Sequence, residues 1–218
     1  MSNIYLSALA FKGLSNYLEK QGHNLILMEK SLHTYNDISH HPDIHMCQME
    51  LGGLVFFGNS ALLGKSYPKN IIYNAASTGK YFIHNLSYTN KELLLVAQSM
   101  NMELINVPQG YTKCNMVIID ENSAITSDEG IAKACQNKLN ILLIRPGHVD
   151  LPGFPYGFLG GASGRVGNTI LFNGNLKAHP DYKRISTFIE NLGLDIHFFP
   201  EYPLTDIGSI IEEVKIKL

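Results

Sequence analysis

The sequence predicts an α/β domain built from five repeat-like units of roughly forty residues each. Three observations carry that reading. Helix starts fall near residues 11, 90, 128 and 181; a short apolar strand follows each helix; an irregular polar stretch and a second extended segment follow each strand. The first gap between helix starts is about twice the second, so a unit without a full helix is expected over residues 59–88. At 218 residues the chain suits one domain spanning 1–218 and can bury a real core. An open doubly wound α/β sheet also alternates helices and strands, and it stands as the alternative.

Phe11–Gln21 is the first helix, with Phe11, Leu14, Tyr17 and Leu18 on one face and Gly22 in the C-terminal position. Asn90–Asn101 is the second, capped by Thr89 or Asn90, with Glu92 where the helix dipole favours an acid. Asp128–Leu139 follows Ser127 as a capping residue and carries Ile131, Ala134, Cys135 and Leu139 on one stripe. Asp181–Leu192 opens after Pro180 and stops at Gly193; its apolar set is Ile185, Phe188, Ile189 and Leu192. The strands that follow are Asn24–Met28, Met102–Val107, Asn140–Ile144 and Leu194–Phe199. The second extended segments are His45–Phe57, Cys114–Thr126, Phe158–Phe172 and Ile207–Ile216, the middle two broken by turns at Asp120–Ser123 and Arg165–Asn168. Asn59–Gly64 offers a single helical turn in place of the missing helix.

Composition narrows the function classes. A formal net charge of −2 gives no electrostatic footprint for DNA or RNA, so no nucleic-acid partner is expected. No apolar run reaches about 18 residues, and the first twenty lack the basic-then-apolar pattern of a secretory signal. No membrane partner is expected either. Cys47, Cys114 and Cys135 are too few for a disulfide framework and suit a reducing cytoplasm. Nine histidines are the one excess with chemical meaning.

The densest constellation is His40-His41-Pro42-Asp43-Ile44-His45-Met46-Cys47. Pro42 biases His41 away from helix, so the segment reads as extended. In a strand, His41, Asp43, His45 and Cys47 share one face. All three residue types are zinc ligands, yet same-face neighbours sit roughly 6.6–7 Å apart, so a single strand builds no cage. No metal or cofactor is assigned. The plain alternative is a set of polar residues on a partly exposed strand. His84 and His197 lie within strands and read as satisfied structural histidines, and Cys135 as inert core.

The late parts of the units overlay as DIHMCQMELGGLVFF, KCNMVIIDENSAIT and FLGGASGRVGNTILF. With the HxD of His41-Pro42-Asp43, this layout resembles the guanidino-group-modifying fold, the pentein or α/β-propeller superfamily, and in particular looks like an uncharacterised bacterial family assigned to it. The resemblance covers roughly residues 3–215. It implies a pseudo-fivefold α/β-propeller with its site at the axis, closed by pairing Asn3–Ala8 with a strand near Ile210–Ile216. It also implies roles: His41 as acid/base, Asp43 as the carboxylate gripping a guanidinium, and an axial Cys as nucleophile.

The sequence departs from that pattern, because no Cys follows Cys135. Gly160-Gly161-Ala162-Ser163-Gly164 resembles the glycine-rich stretch before the nucleophile but ends in Ser and Gly. Its glycines mark close backbone approach at a crowded axis, and the lack of a GK[ST] or following helix argues against a phosphate loop. Cys114 and Cys47 remain as nucleophile candidates. The overlay sets Asn115 opposite His45 and Cys114 opposite Ile44, off the polar face unless the register slips by one. A covalent role needs a thiol partly ionised near neutral pH, which Cys114 or Cys47 would gain beside the His-rich strand.

The cleft is therefore expected to gather His41, Asp43, His45 and Cys114 as catalytic groups, with Cys47, Asn115, Gly160, Gly161, Ser163, Glu201 and Asp206 around a small cationic or guanidino ligand. Glu201 and Asp206 read equally as turn and capping residues. Two functions follow. One is a hydrolase or transferase acting on a guanidino or related C–N bond. The other is a non-catalytic binding module on the same scaffold, as the ribosome anti-association factors of that superfamily are.

Overall fold

The computed structural model describes residues 2–214. The chain opens with β1 (Asn3–Ser7), α1 (Lys12–Lys20) and β2 (Asn24–Met28), then a single turn α2 (Pro42–His45) leads into β3 (Met46–Gln48) and β4 (Val55–Phe57). Next come β5 (Ala76–Ser77), β6 (Tyr81–His84), α3 (Lys91–Ser99) and β7 (Glu103–Asn106). A second single turn, α4 (Thr112–Asn115), precedes β8 (Met116–Ile118), β9 (Ser123–Thr126), α5 (Glu129–Cys135) and β10 (Asn140–Leu143). The chain finishes with β11 (Ser163–Val166), β12 (Thr169–Phe172), α6 (Tyr182–Asn191), β13 (Asp195–His197) and β14 (Ile211–Glu213).

The described strands form five small sheets rather than one continuous sheet. Four of them repeat one plan: an antiparallel first pair, a helix, and a parallel outer strand, as in β5-β6-β7, β8-β9-β10, β11-β12-β13 and β14-β1-β2. The fourth of these joins the chain's two ends, with Asn3 opposite Glu213 and Tyr5 opposite Ile211. The expected partner strand extended to Ile216; residues 215 and 216 lie outside the described residues. The fifth sheet, β3-β4, has no outer strand. Its helix is replaced by a 3₁₀ turn, Ser60–Leu62, capped by the Asn59 side chain, which accepts from the Ala61 N–H. This is the unit that the wide helix spacing implied. First strands of the sheets touch in sequence: β3 meets β5, β5 meets β8, β8 meets β11, β11 meets β14, and β14 meets β3.

Each helix buries a narrow stripe on its sheet. In α6, Ile185 and Ile189 are fully buried against Ile170 and Phe172; in α3, Leu93 and Ala97 meet Phe82. Ile131 and Cys135 of α5 pack with Ile83, Ile105 and Ile118, so Cys135 is core. Each buried Leu or Ile contributes about 1.5–3 kcal/mol, which is how helices this short persist. Asn90 caps α3 as its sequence position indicates, accepting from the N–H of Glu92 and Leu93. At α5 the cap is Asp128 rather than Ser127, and the helix ends at Cys135 rather than Leu139. The Asp128 carboxylate reaches the Ile131 N–H at 2.8 Å and outcompetes its neighbour's hydroxyl. His84 is satisfied by Thr89 and the Gly110 carbonyl, as read from sequence.

Candidate active site

The segment around Pro42 is the main correction to the sequence reading. His41 is extended, at φ −75 and ψ 120, as the residue before a proline should be. Pro42 itself, with its fixed φ, begins a helical turn, because the first helical position needs no N–H. His41, Asp43, His45 and Cys47 therefore do not share a strand face. The four side chains separate. His45 contacts the Ser39 carbonyl through Nε2 at 2.9 Å and Ser60 through Nδ1 at 3.3 Å. Cys47 lies in β3, donates to the Ala75 carbonyl at 3.3 Å, and packs in the core with Phe82 and Tyr73. Only His41 and Asp43 turn toward the shared interior.

The turn α4 answers α2 from another unit. Each is followed by a methionine that opens a first strand, Met46 or Met116. The overlay that aligned Asn115 with His45 holds, and it aligns Lys113 with Asp43. Because both stretches are turns, the alternating-face argument against Cys114 fails. Its Sγ lies 3.1 Å from Asp43 Oδ2. Ser209 donates to the same carboxylate oxygen at 2.7 Å, and Lys113 Nζ donates to Ser209 Oγ at 3.0 Å. Asn74 braces the group: its amide donates to the Cys114 sulfur at 3.2 Å and accepts from the Lys113 N–H at 3.0 Å.

Beside this network lies a cavity of about 280 Å³. Its wall carries His41, Cys114 and Asp206, with Tyr35, Ile38, Ile44, Tyr111, Leu151, Phe154, Pro155, Tyr156 and Phe158. The Tyr35 and Tyr111 hydroxyls are 3.4 Å apart, and the Tyr35 and Phe154 rings sit at 5.9 Å. Asp206 is fixed from behind by the N–H groups of Phe158 and Gly208, both at 2.9 Å. Two glycines make this packing possible. A Cβ on Gly208, whose φ is +73, would fall 2.1 Å from His41 Cβ; one on Gly161 would fall 2.0 Å from Asp206 Oδ1. The next residue, Ser209, holds φ +74 without being glycine, a strained conformation of the kind found at working sites.

Burial governs the charges. It pushes the Asp206 carboxyl up to about 7, helped by the nearby Asp43. Asp43 is also raised by burial and pulled back chiefly by Lys113, whose own amine is lowered by burial and restored mainly by Asp43. The Cys114 thiol is pushed well above its usual value by burial, then by Asp43 and Asp206. Cys47 rises to about 12 through burial. Neither thiol is ionised near neutral pH in the free protein, contrary to the expectation for a thiol beside a His-rich strand. His41 is held well below its usual value by burial and by His40 and His45. Its Nδ1 is 3.8 Å from Asp206 Oδ1, too far for a hydrogen bond, and it is neutral. Both His41 ring nitrogens and Asp43 Oδ1 are buried without a partner among the described residues. Such atoms are rare, and His41 is one of the residues that line the cavity.

Other expected site residues fall elsewhere. Asn115 bonds the Tyr111 carbonyl and borders a separate cleft with Gln109, Arg145 and Arg184. Gly160 and Gly161 serve through their backbone, the Gly161 N–H donating to the Cys114 carbonyl at 2.8 Å. Ser163 is buried in β11, away from the cavity wall, and Glu201 is exposed. Lys113, Ser209, Asn74 and the aromatic wall were missed. Lys113 was within reach, since the overlay places it opposite Asp43. Among the described residues, no group of three or more His, Cys, Asp or Glu gathers at metal-ligand spacing. None of the described helices is long and apolar enough to cross a membrane.

A family profile described as a family of unknown function (DUF6873) matches residues 53–211, more than half of the chain. The chain belongs to the DUF6873 family. The matched segment carries Cys114, Gly160, Gly161, Asp206 and Ser209, while the α2 turn with His41 and Asp43 precedes it. No curated protein matches the sequence.

Proposed function

We propose that the five sheets form a pentein-like α/β-propeller and that the cavity beside its axis takes a small guanidinium-type cation and cleaves one of its C–N bonds. The observation that carries this reading is the convergence of Cys114, His41 and Asp206, from three distant parts of the chain, on one cavity. The ring of contacts among first strands supports the propeller. The buried Asp206 carboxylate and the aromatic wall suit a planar cation, through charge and cation–π attraction.

The chemistry uses groups already in place. In the free protein the Cys114 S–H rests on Asp43 Oδ2; in the reaction neutral His41, which lines the same cavity, takes that proton. The thiolate attacks the guanidino carbon and a C–S bond forms. The C–N bond to the leaving amine then breaks, and that nitrogen leaves with the proton from His41. Water attacks the resulting thiouronium carbon, the C–S bond breaks, a urea departs and the thiol is restored. An amine in place of water would make the reaction a transfer. Asp206, in the wall, is the carboxylate assigned to the ligand; Asp43 lies behind Cys114.

A second reading, binding without turnover, is favoured by one observation: the Cys114 thiol is held protonated by its surroundings. The test separates the two. The protein is incubated with methylguanidine and with 4-guanidinobutylamine, and release of methylamine, 1,4-diaminobutane or ammonia is followed. Turnover that disappears in Cys114→Ser and falls at least tenfold in His41→Ala is the expected result. Binding of these cations with no release of any of these amines overturns the enzyme reading and leaves the binding module.

A further inference from the structure

We propose that Lys113, acting through Ser209 and Asp43, is a positioning residue that orients the Cys114 thiol and supplies the positive charge its ionisation requires. The inference rests on the reading of Cys114 as the reacting thiol. It starts from the direction of the hydrogen bonds. An ammonium group only donates, so at 3.0 Å from Ser209 Oγ, Lys113 Nζ gives a proton and Ser209 accepts. Two acceptors face the single Ser209 hydrogen, Asp43 Oδ2 at 2.7 Å and the Gly160 carbonyl at 3.1 Å, and the shorter contact to the charged oxygen takes it. That oxygen also takes the Cys114 S–H at 3.1 Å. The thiol proton is thereby drawn behind the cavity wall, with the sulfur left on the wall itself.

Charge gives the second argument. Cys114 is faced by Asp43 from α2, Asp206 from the C-terminal segment, the hydroxyls of Tyr35 and Tyr111, and Lys113 on its own turn. His41 shares the cavity wall and is neutral, and His45 acts on Asp43 from behind. Before the thiol ionises, only Lys113 of these groups brings a positive charge. When the S–H bond breaks, its proton passes to His41 and the electron pair stays on sulfur, so the new anion joins two carboxyl groups in one buried space. Lys113 offsets that cost. A lysine so placed is fully buried, at 8% exposure, and an ammonium is not kept there without anionic partners.

The test is the rate of iodoacetamide alkylation of Cys114, followed by peptide mapping of the full-length protein across a pH series. In Lys113→Met the midpoint moves up by about one pH unit, so alkylation below the midpoint is about tenfold slower, with the limiting rate at high pH unchanged. Asp43→Asn moves the midpoint down, and the double variant, which removes a balanced pair, returns to within about threefold of the wild type. Single variants that both shift the same way, or a Lys113→Met profile superimposed on the wild type, overturn the proposal. Should Lys113→Met fail to fold, the other two variants decide: a double variant indistinguishable from Asp43→Asn overturns it. Methylamine release is scored separately, so a thiol that shifts as stated in a protein that never releases it contradicts the C–N chemistry and leaves the role of Lys113 standing.

Discussion

The turns α2 and α4 share one backbone plan and carry opposite chemistry. Both are single helical turns that end in a methionine and pass into a first strand. At equivalent places one carries Asp43, Ile44 and His45 and the other Lys113, Cys114 and Asn115. Neither turn makes a site alone. Asp43 by itself would be a buried anion, Lys113 a buried cation, and the thiol would have no acceptor. Brought together across units they satisfy one another, and the C-terminal segment contributes the remaining pieces, Ser209 and Asp206. The comparison shows how one backbone turn, used twice, carries different groups to one place.

Removing one member of the buried charge pair is the sharpest way to break that symmetry. Asp43→Ala or Lys113→Ala should each lower stability by about 3–5 kcal/mol in urea unfolding, because the partner is left unpaired. The double substitution should cost less than the sum of the two. Equal and additive losses would mean that the turns do not depend on each other.

Asp206 tests the acidic side of the site through pH. Its folded value, raised to about 7 from the ordinary 3.8, means the folded protein binds this proton more tightly. The stability it contributes is fully present below pH 3.8 and is lost as pH rises through 7. The whole window amounts to roughly 2–4 kcal/mol. Buried His41 and His45 have lowered values and act in the opposite sense, destabilising the fold as pH falls below 6.5. Comparing wild type with Asp206→Asn in urea at pH 4 and pH 8 isolates the one group: the wild type should lose ground to the variant as pH rises.

Gly208→Ala addresses the packing that holds His41. The added methyl meets His41 Cβ, and the left-handed backbone adds strain, so a loss of about 2 kcal/mol in thermal or urea unfolding is expected. The same variant should lose turnover more than stability alone explains, because His41 must shift. Asn90→Ala, at the α3 cap far from the site, should cost about 1 kcal/mol and leave the site's chemistry unchanged.

These contrasts also mark what the sequence could tell. Helix positions, the five units and the meeting of the chain ends were legible, because apolar spacing and glycine stops are local signals. The unit without a helix was readable from a doubled gap. What failed was the constellation around Pro42. The rule for the residue before proline describes His41 correctly and says nothing of Pro42 itself, which began a turn and sent His45 and Cys47 to different surroundings. Cys114 was named among the catalytic groups, but the strand argument set against it does not apply inside a turn. Lys113 and Ser209 carried no motif; their meaning comes from being within 3.0 Å of each other across 96 residues of sequence. The aromatic wall was invisible because Tyr35, Tyr111 and Phe154 belong to three separated loops.

The most direct measurement is acid-quenched peptide mapping after incubation with methylguanidine. Attack at the guanidino carbon followed by loss of methylamine leaves a carbamimidoyl group on sulfur. The account predicts that mass on the Cys114 peptide, none on those of Cys47 and Cys135, and its accumulation when water attack is slow. Turnover persisting in Cys114→Ser, or an adduct found on Cys47 or Cys135 instead, would contradict it.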